Sequence, residues 1–270
     1  NNLHMKGLKI MQRESMDSKR NKSKVIIRYY YDRVSRDVGN FLKWIALAVL
    51  TGLVVGGASS IFAGCIKWVT EYRNNNIWVF MLLPIVGVAI VFMYQIIDPH
   101  DGGTNQVLST IRSRGDVPLK AAPLIFVSTL LTHLTGGSAG REGASIQFGG
   151  SIGNWLGKLV KLDEFDHHVM IMCGMSAAFA AVFGTPMAAA VFAMEVVSVG
   201  VMYYSAIVPC IIASAVGAYI ASVFDIAPTS FSIIGSIPTI ELLTIFKVIV
   251  LAVLCAAVSM LFSLYPHAPK

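Results

Sequence analysis

Residues 136–153 read GGSAGREGASIQFGGSIG. One arginine and one glutamate, Arg141 and Glu142, stand here among glycines and small residues in an otherwise very apolar chain. Charge inside a bilayer is costly, so an ionisable residue at membrane depth marks a functional site by default. The glycines let backbone N–H groups come close to a ligand, and the stretch after them reads as a helix. Backbone donors at a helix start form an anion site. The run therefore points to anion handling in a membrane, with Glu142 beside the site.

Composition places the rest of the chain in the same setting. Of 270 residues, 55% are hydrophobic and 13% charged, whereas a soluble domain carries about 25% charged residues. Only helices and closed barrels span lipid, and the apolar runs are too continuous for alternating barrel strands. The expected class is an all-α polytopic membrane protein. Residues 1–40 hold ten of the 21 Lys and Arg and four of the 15 Asp and Glu, which leaves 11 of each sign elsewhere. Such a basic tail predicts a cytoplasmic N-terminus by the positive-inside rule, with contact to anionic lipid as a second role. It has no signal-peptide pattern, and no nucleic-acid partner is expected. The domain reading is a tail over 1–40 and a transmembrane domain over 41–270.

The four cysteines, Cys65, Cys173, Cys210 and Cys255, are far apart in apolar stretches. They read as small buried hydrophobes, with no metal spacing. The adjacent His167 and His168 read as a solvated helix start. No metal or cofactor is expected.

Working outward from the glycine run, a first span is expected over 41–69 and a second, uncharged, over 77–97. A polar insert over 98–120 contains DPHDGGTNQV. Residues 121–134 are apolar but short for a crossing. The glycine run follows, then a helix to about Leu159, a charged connection over 161–168 and a short apolar segment over 167–183. Gly184-Thr185-Pro186 breaks the chain, and Pro186 suits the first turn of a helix running to about Val197. Spans over 202–224 and 241–264 flank a loop at 226–238. Broken helices at membrane depth occur where they line a cavity or are buried in protein, and they point to binding sites in transporters. Gly149, Gly153 and Gly157 recur every fourth residue and form a helix-packing face.

Two chemistries compete for the glycine run. GGSAG fits the G-x-S-x-G nucleophile elbow, with Ser138 or Ser145 as nucleophile and His133 as base, an intramembrane serine hydrolase. The elbow needs a strand before the turn, and a membrane helix segment precedes this one. In the other reading Glu142, itself an anion, competes with a mobile anion for the same N–H groups and leaves when protonated. The bland version keeps Arg141 in an ion pair and Glu142 as a helix cap, favoured there by the dipole.

AGREGASIQ resembles the G-[KR]-E-G-P motif of the CLC family of chloride channels and proton-coupled anion transporters, with Ala144 in place of proline. GGTNQV resembles that family's G-S-G-I-P loop, and FGTPMAAAVFAMEV, residues 183–196, resembles its N-A-P-x-A-G-x-x-F-x-x-E segment. The three matches occur in the family's order between Gly102 and Val196. The resemblance implies a CLC-like fold of short broken helices, halide transport as channel or proton-coupled antiporter, a homodimer, and no enzymatic role. It implies that Glu142 is the gating glutamate. The implied anion-binding residues are Thr104, where the family has a serine, with Asn105, Gly140, Arg141, Gly143 and Ala144.

Val196 stands where proton-coupled members often carry an inner glutamate after the position of Glu195. Asn105, Ala144 and the run from Gly184 to Met187 resemble the fluoride-transporting branch, which Thr104 does not match. The anion stays open between chloride and fluoride. The later G-x-F-x-P loop and pore tyrosine are not evident, so the resemblance is to the first inverted-repeat half. A truncated product, a partial gene model and a half-size protein that pairs with another all fit. The expectation is that this chain alone conducts poorly or not at all.

Overall fold

The structure is a computed structural model. It describes residues 2–99, 102–112, 117–197, 203–226 and 241–264, with the backbone course alone for 2–32, Arg36, Gln106, 110–112 and Leu264. Among these residues there are nine α-helices and no strand. They are α1 (Asn2–Asn75), α2 (Leu83–Ile97), α3 (Thr104–Arg112), α4 (Ala121–Leu134), α5 (Arg141–Leu159), α6 (Glu164–Phe183), α7 (Pro186–Glu195), α8 (Ile207–Val223) and α9 (Leu242–Leu264). Short 3-10 turns, Ile77–Leu82 and Tyr204–Ala206, lead into α2 and α8. By length and composition, five described helical segments can cross a membrane: Arg33–Asn75, Ile77–Ile97, Glu164–Phe183, Tyr204–Val223 and Leu242–Ser263. The chain is therefore an all-helical, multi-pass membrane protein.

It divides into two units, Asn1–Pro228 and Thr229–Lys270. The second contributes α9, a mostly apolar helix whose one charged residue is Lys247. In the first, α6 is the central helix, and α1, α5, α7 and α8 all pack on it. Its Met170, Met172, Cys173, Ala177 and Ala178 are fully buried. The glycine face on α5 seats there as expected. A Cβ on Gly153 would lie 2.6 Å from the Met170 carbonyl oxygen, and one on Gly157 would lie 3.0 Å from the His167 ring. Phe62 on α1 joins Phe126 on α4 and Phe148 on α5, with ring centroids 5.3 and 5.6 Å away.

Several boundaries differ from the sequence expectations. The first helix continues to Asn75, past Val69. The polar insert contains a helix, α3, which packs on α5 through the fully buried Val107. Helix α6 starts at Glu164 because Asp163 caps it, accepting from the Asp166 amide at 2.9 Å. His167 and His168 thus lie in its first two turns and are half-buried. The His167 ring takes up the Asn154 backbone oxygen at 3.0 Å. The break at Gly184 is as expected: it closes α6 at φ 70°, and Pro186 opens α7. Most of the expected 226–238 loop lies outside the described residues.

Helix α4 has 14 residues, which at 1.5 Å per residue is about 21 Å, short of the roughly 30 Å hydrocarbon core. It therefore ends within the protein, and the chain turns there into α5.

Candidate functional site

The turn between α4 and α5 is built tightly. Gly136 adopts φ 80°, a left-handed conformation that suits glycine. The Gly137 amide donates to the Thr132 oxygen at 2.9 Å. Arg73, in the last turn of α1, donates from Nη1 to the His133 carbonyl at 3.2 Å. The His133 ring hydrogen-bonds the Ala139 backbone, while its Nε2 is buried without a partner among the described residues. These contacts fix where α5 begins.

At that start Gly140 is extended, with φ −70° and ψ 142°, and no side chain caps the helix. The first-turn N–H groups have no intrahelical acceptor. Glu142 lies in this first turn and is exposed. A Cβ on Gly140 would stand 2.9 Å from Glu142 Oε2, so the carboxylate lies back over the helix start. Arg141 is half-buried and Ala144 is buried.

Helix α3 starts against the same place. Gly103 takes φ 61° and delivers Thr104 as the first helical residue. Thr104 Oγ1 points at the Gly143 carbonyl oxygen at 3.4 Å, a long contact compared with the usual 2.7–2.8 Å between oxygens. Its proton is therefore weakly held. Gly103, Thr104, Gly140, Gly143 and Ala144 share a cavity of about 420 Å³. Asn105 is exposed and Glu142 and Arg141 lie at the margin rather than in the lining. The structure thus brings two glycine-preceded helix starts, one from each of two sequence motifs, onto one cavity. Both point partial positive charge at it.

Sequence reasoning missed the far wall of this cavity. Tyr94 of α2 and Ser128, Thr129 and Thr132 of α4 line it, with Gln147 of α5. Ser128 and Thr132 are four apart, and therefore on one helix face, a signal that was available in the sequence. Glu195 ends α7 and is exposed. At the hydrolase candidates, Ser138 follows a helix and loop rather than a strand, and Ser145 Oγ donates to the Arg141 oxygen at 2.7 Å.

A family model described as voltage gated chloride channel matches residues 86–268, more than half of the chain. The chain belongs to the voltage gated chloride channel family. A chloride/fluoride channel protein of Pseudomonas syringae pv. tomato is 35% identical to it over 227 residues, covering 83% of this chain and 50% of that protein. An H(+)/Cl(−) exchange transporter ClcA of Cronobacter sakazakii is 27% identical over 167 residues, covering 56% of this chain and 36% of that one. Among solved structures, a CLC-type fluoride/proton antiporter aligns with a TM-score of 0.72 at 29% identity, over 79% of this chain and 54% of that chain. A slow cyanobacterial Cl−/H+ antiporter aligns with a TM-score of 0.56 at 20% identity, over 67% and 46%, a likeness of fold. The chain spans about half the length of the chloride/fluoride channel relative it matches. The all-α CLC-type fold expected from the three motifs is the fold observed.

Proposed function

We propose that this chain forms one wall of a membrane pathway for a small halide, chloride or fluoride, gated by Glu142. The observation that carries the reading is the convergence of the α3 and α5 starts on one cavity, with the Thr104 hydroxyl 3.4 Å from Gly143. Helix starts stabilise an anion without a fixed full charge at the contact, so binding stays weak enough for the ion to leave. The first-turn amides of α5 hold the ion from one side, and the Thr104 hydroxyl at the start of α3 holds it from the other, while the exposed Asn105 stands outside the lining. The Glu142 carboxylate competes for the same donors and withdraws on protonation. Proton coupling, a homodimeric assembly and a cytoplasmic N-terminus belong to this reading. Family membership and the chloride/fluoride relative support it.

The experiment is halide titration of the purified chain in lipid nanodiscs. Thr104→Val weakens binding and Glu142→Ala strengthens it, because one removes a ligand and the other a competitor. If both substitutions weaken binding alike, Glu142 is a ligand or a scaffold and not a competitor.

A further inference from the structure

His133, in the last turn of α4, meets the turn into α5 through both its backbone and its ring. Its carbonyl oxygen accepts from the Gly136 amide at 3.3 Å and from Arg73 Nη1 at 3.2 Å. These two bonds fix where the side chain starts. The ring bonds the Ala139 backbone in a way that favours a proton on the ring, so a ring N–H donates and the Ala139 carbonyl oxygen accepts. Nε2 is buried and has no partner among the described residues. The donor is therefore Nδ1, in the tautomer that leaves Nε2 bare. A second ring proton would stand beside the charges of Arg73 on α1 and Arg141 on α5, so the ring donates in its neutral form.

This bond reaches the cavity through one peptide unit. A trans peptide is planar, so its C=O and N–H point to opposite sides. With the Ala139 oxygen held on the His133 side, the Gly140 N–H faces the other way. That N–H has no acceptor among the described residues, and both Ala139 and Gly140 line the cavity. The Glu142 carboxylate lies against the same glycine. His133 itself is not part of the lining, so whatever it does there it does through this peptide.

We propose that His133 is a positioning residue: by holding the Ala139 carbonyl it turns the Gly140 N–H into the cavity as a donor to the halide. The proposal rests on the halide reading of the site.

The test is titration of the chain in nanodiscs with sodium chloride and sodium fluoride. It is read by calorimetry and by the amide signal of Gly140 after labelling with heavy-nitrogen glycine, the signal being identified by its loss in Gly140→Ala. His133→Asn keeps a side-chain N–H at the place of Nδ1. His133→Gln carries its amide at the place of Nε2 instead, and His133→Leu has no donor. Affinity falls about tenfold or more in His133→Leu and His133→Gln, as the loss of one hydrogen bond to a charged group implies, and stays within about twofold of wild type in His133→Asn. The Gly140 signal moves with added halide in wild type and His133→Asn only. Wild-type affinity in His133→Leu overturns the proposal, and so does an equal loss in His133→Asn and His133→Gln, which marks a packing role for the ring. If His133→Leu does not fold, the contrast between Asn and Gln carries the same test. Halide binding by the wild type with an unmoved Gly140 signal overturns this proposal alone. A wild-type chain that binds neither halide overturns the halide reading itself, and this proposal with it.

Discussion

The Thr104 hydroxyl and the Gly143 carbonyl lie 3.4 Å apart, and this one approach sets the first turn of α3 against the first turn of α5. Gly143 makes it possible, because a Cβ there would stand 2.9 Å from Thr104 Oγ1. Gly143→Ala therefore pushes the two helix starts apart. Halide affinity of the chain falls roughly tenfold or more, as a steric cost of 1–3 kcal/mol implies. Gly140→Ala is the control. Its Cβ would meet Glu142 Oε2 at the same 2.9 Å, but that atom ends a flexible side chain, so the competing carboxylate moves aside and binding does not fall. Titration of both variants checks the contrast.

The α5–α6 seam depends on glycine in the same way. Gly153→Ala drives a methyl to 2.6 Å from the Met170 carbonyl, and overpacking of that kind costs about 1–3 kcal/mol. Gly57→Ala on α1 has nothing within 4 Å of its new Cβ. It is neutral or stabilises by up to about 1 kcal/mol through helix propensity. Thermal unfolding in detergent ranks Gly57→Ala above wild type or level with it, and Gly153→Ala below.

Asp98 and Lys120 tie the end of α2 to the start of α4. Lys120 Nζ lies 3.3 Å from Asp98 Oδ1 and donates to the Ile97 oxygen at 2.9 Å. The Asp98 side chain is 8% exposed and its Oδ2 has no partner among the described residues. Lys120→Met leaves a buried carboxylate without its cation and costs about 1–3 kcal/mol. Asp98→Asn removes the charge instead and costs less. Unfolding midpoints in the reverse order contradict this account of the pair.

How much of this was legible in the sequence depended on the signal each element carries. Helices α4 and α5 could be read because glycine and a first-turn acid mark the turn at 136–142, and Gly184 and Pro186 marked α7 by the backbone conformations they favour. Helix α3 was hidden in the polar insert, since a nine-residue helix that buries Val107 leaves little apolar periodicity. The start of α6 was readable in principle from Asp163 and Asp166, but their charges looked like a connection. The motifs pointed to Thr104 and the α5 start. They were silent on Tyr94, Ser128 and Thr132, because an apolar helix with scattered hydroxyls looks like an ordinary span until α2 and α4 are placed side by side.

The serine hydrolase reading makes a separate prediction. Ser145 directs its proton to the Arg141 oxygen at 2.7 Å, and Ser138 lacks the strand that an elbow requires. A fluorophosphonate probe therefore leaves both serines unlabelled. Labelling that Ser138→Ala abolishes contradicts the transport account.

The most direct measurement of the central claim is halide affinity against pH, for wild type and Glu142→Gln, in nanodiscs. A protonated glutamate no longer competes for the α5 donors, so wild-type affinity rises as pH falls. Glu142→Gln, a neutral mimic, holds the acid-level affinity at every pH. If Glu142→Gln stays as pH-dependent as wild type, Glu142 is not the gate.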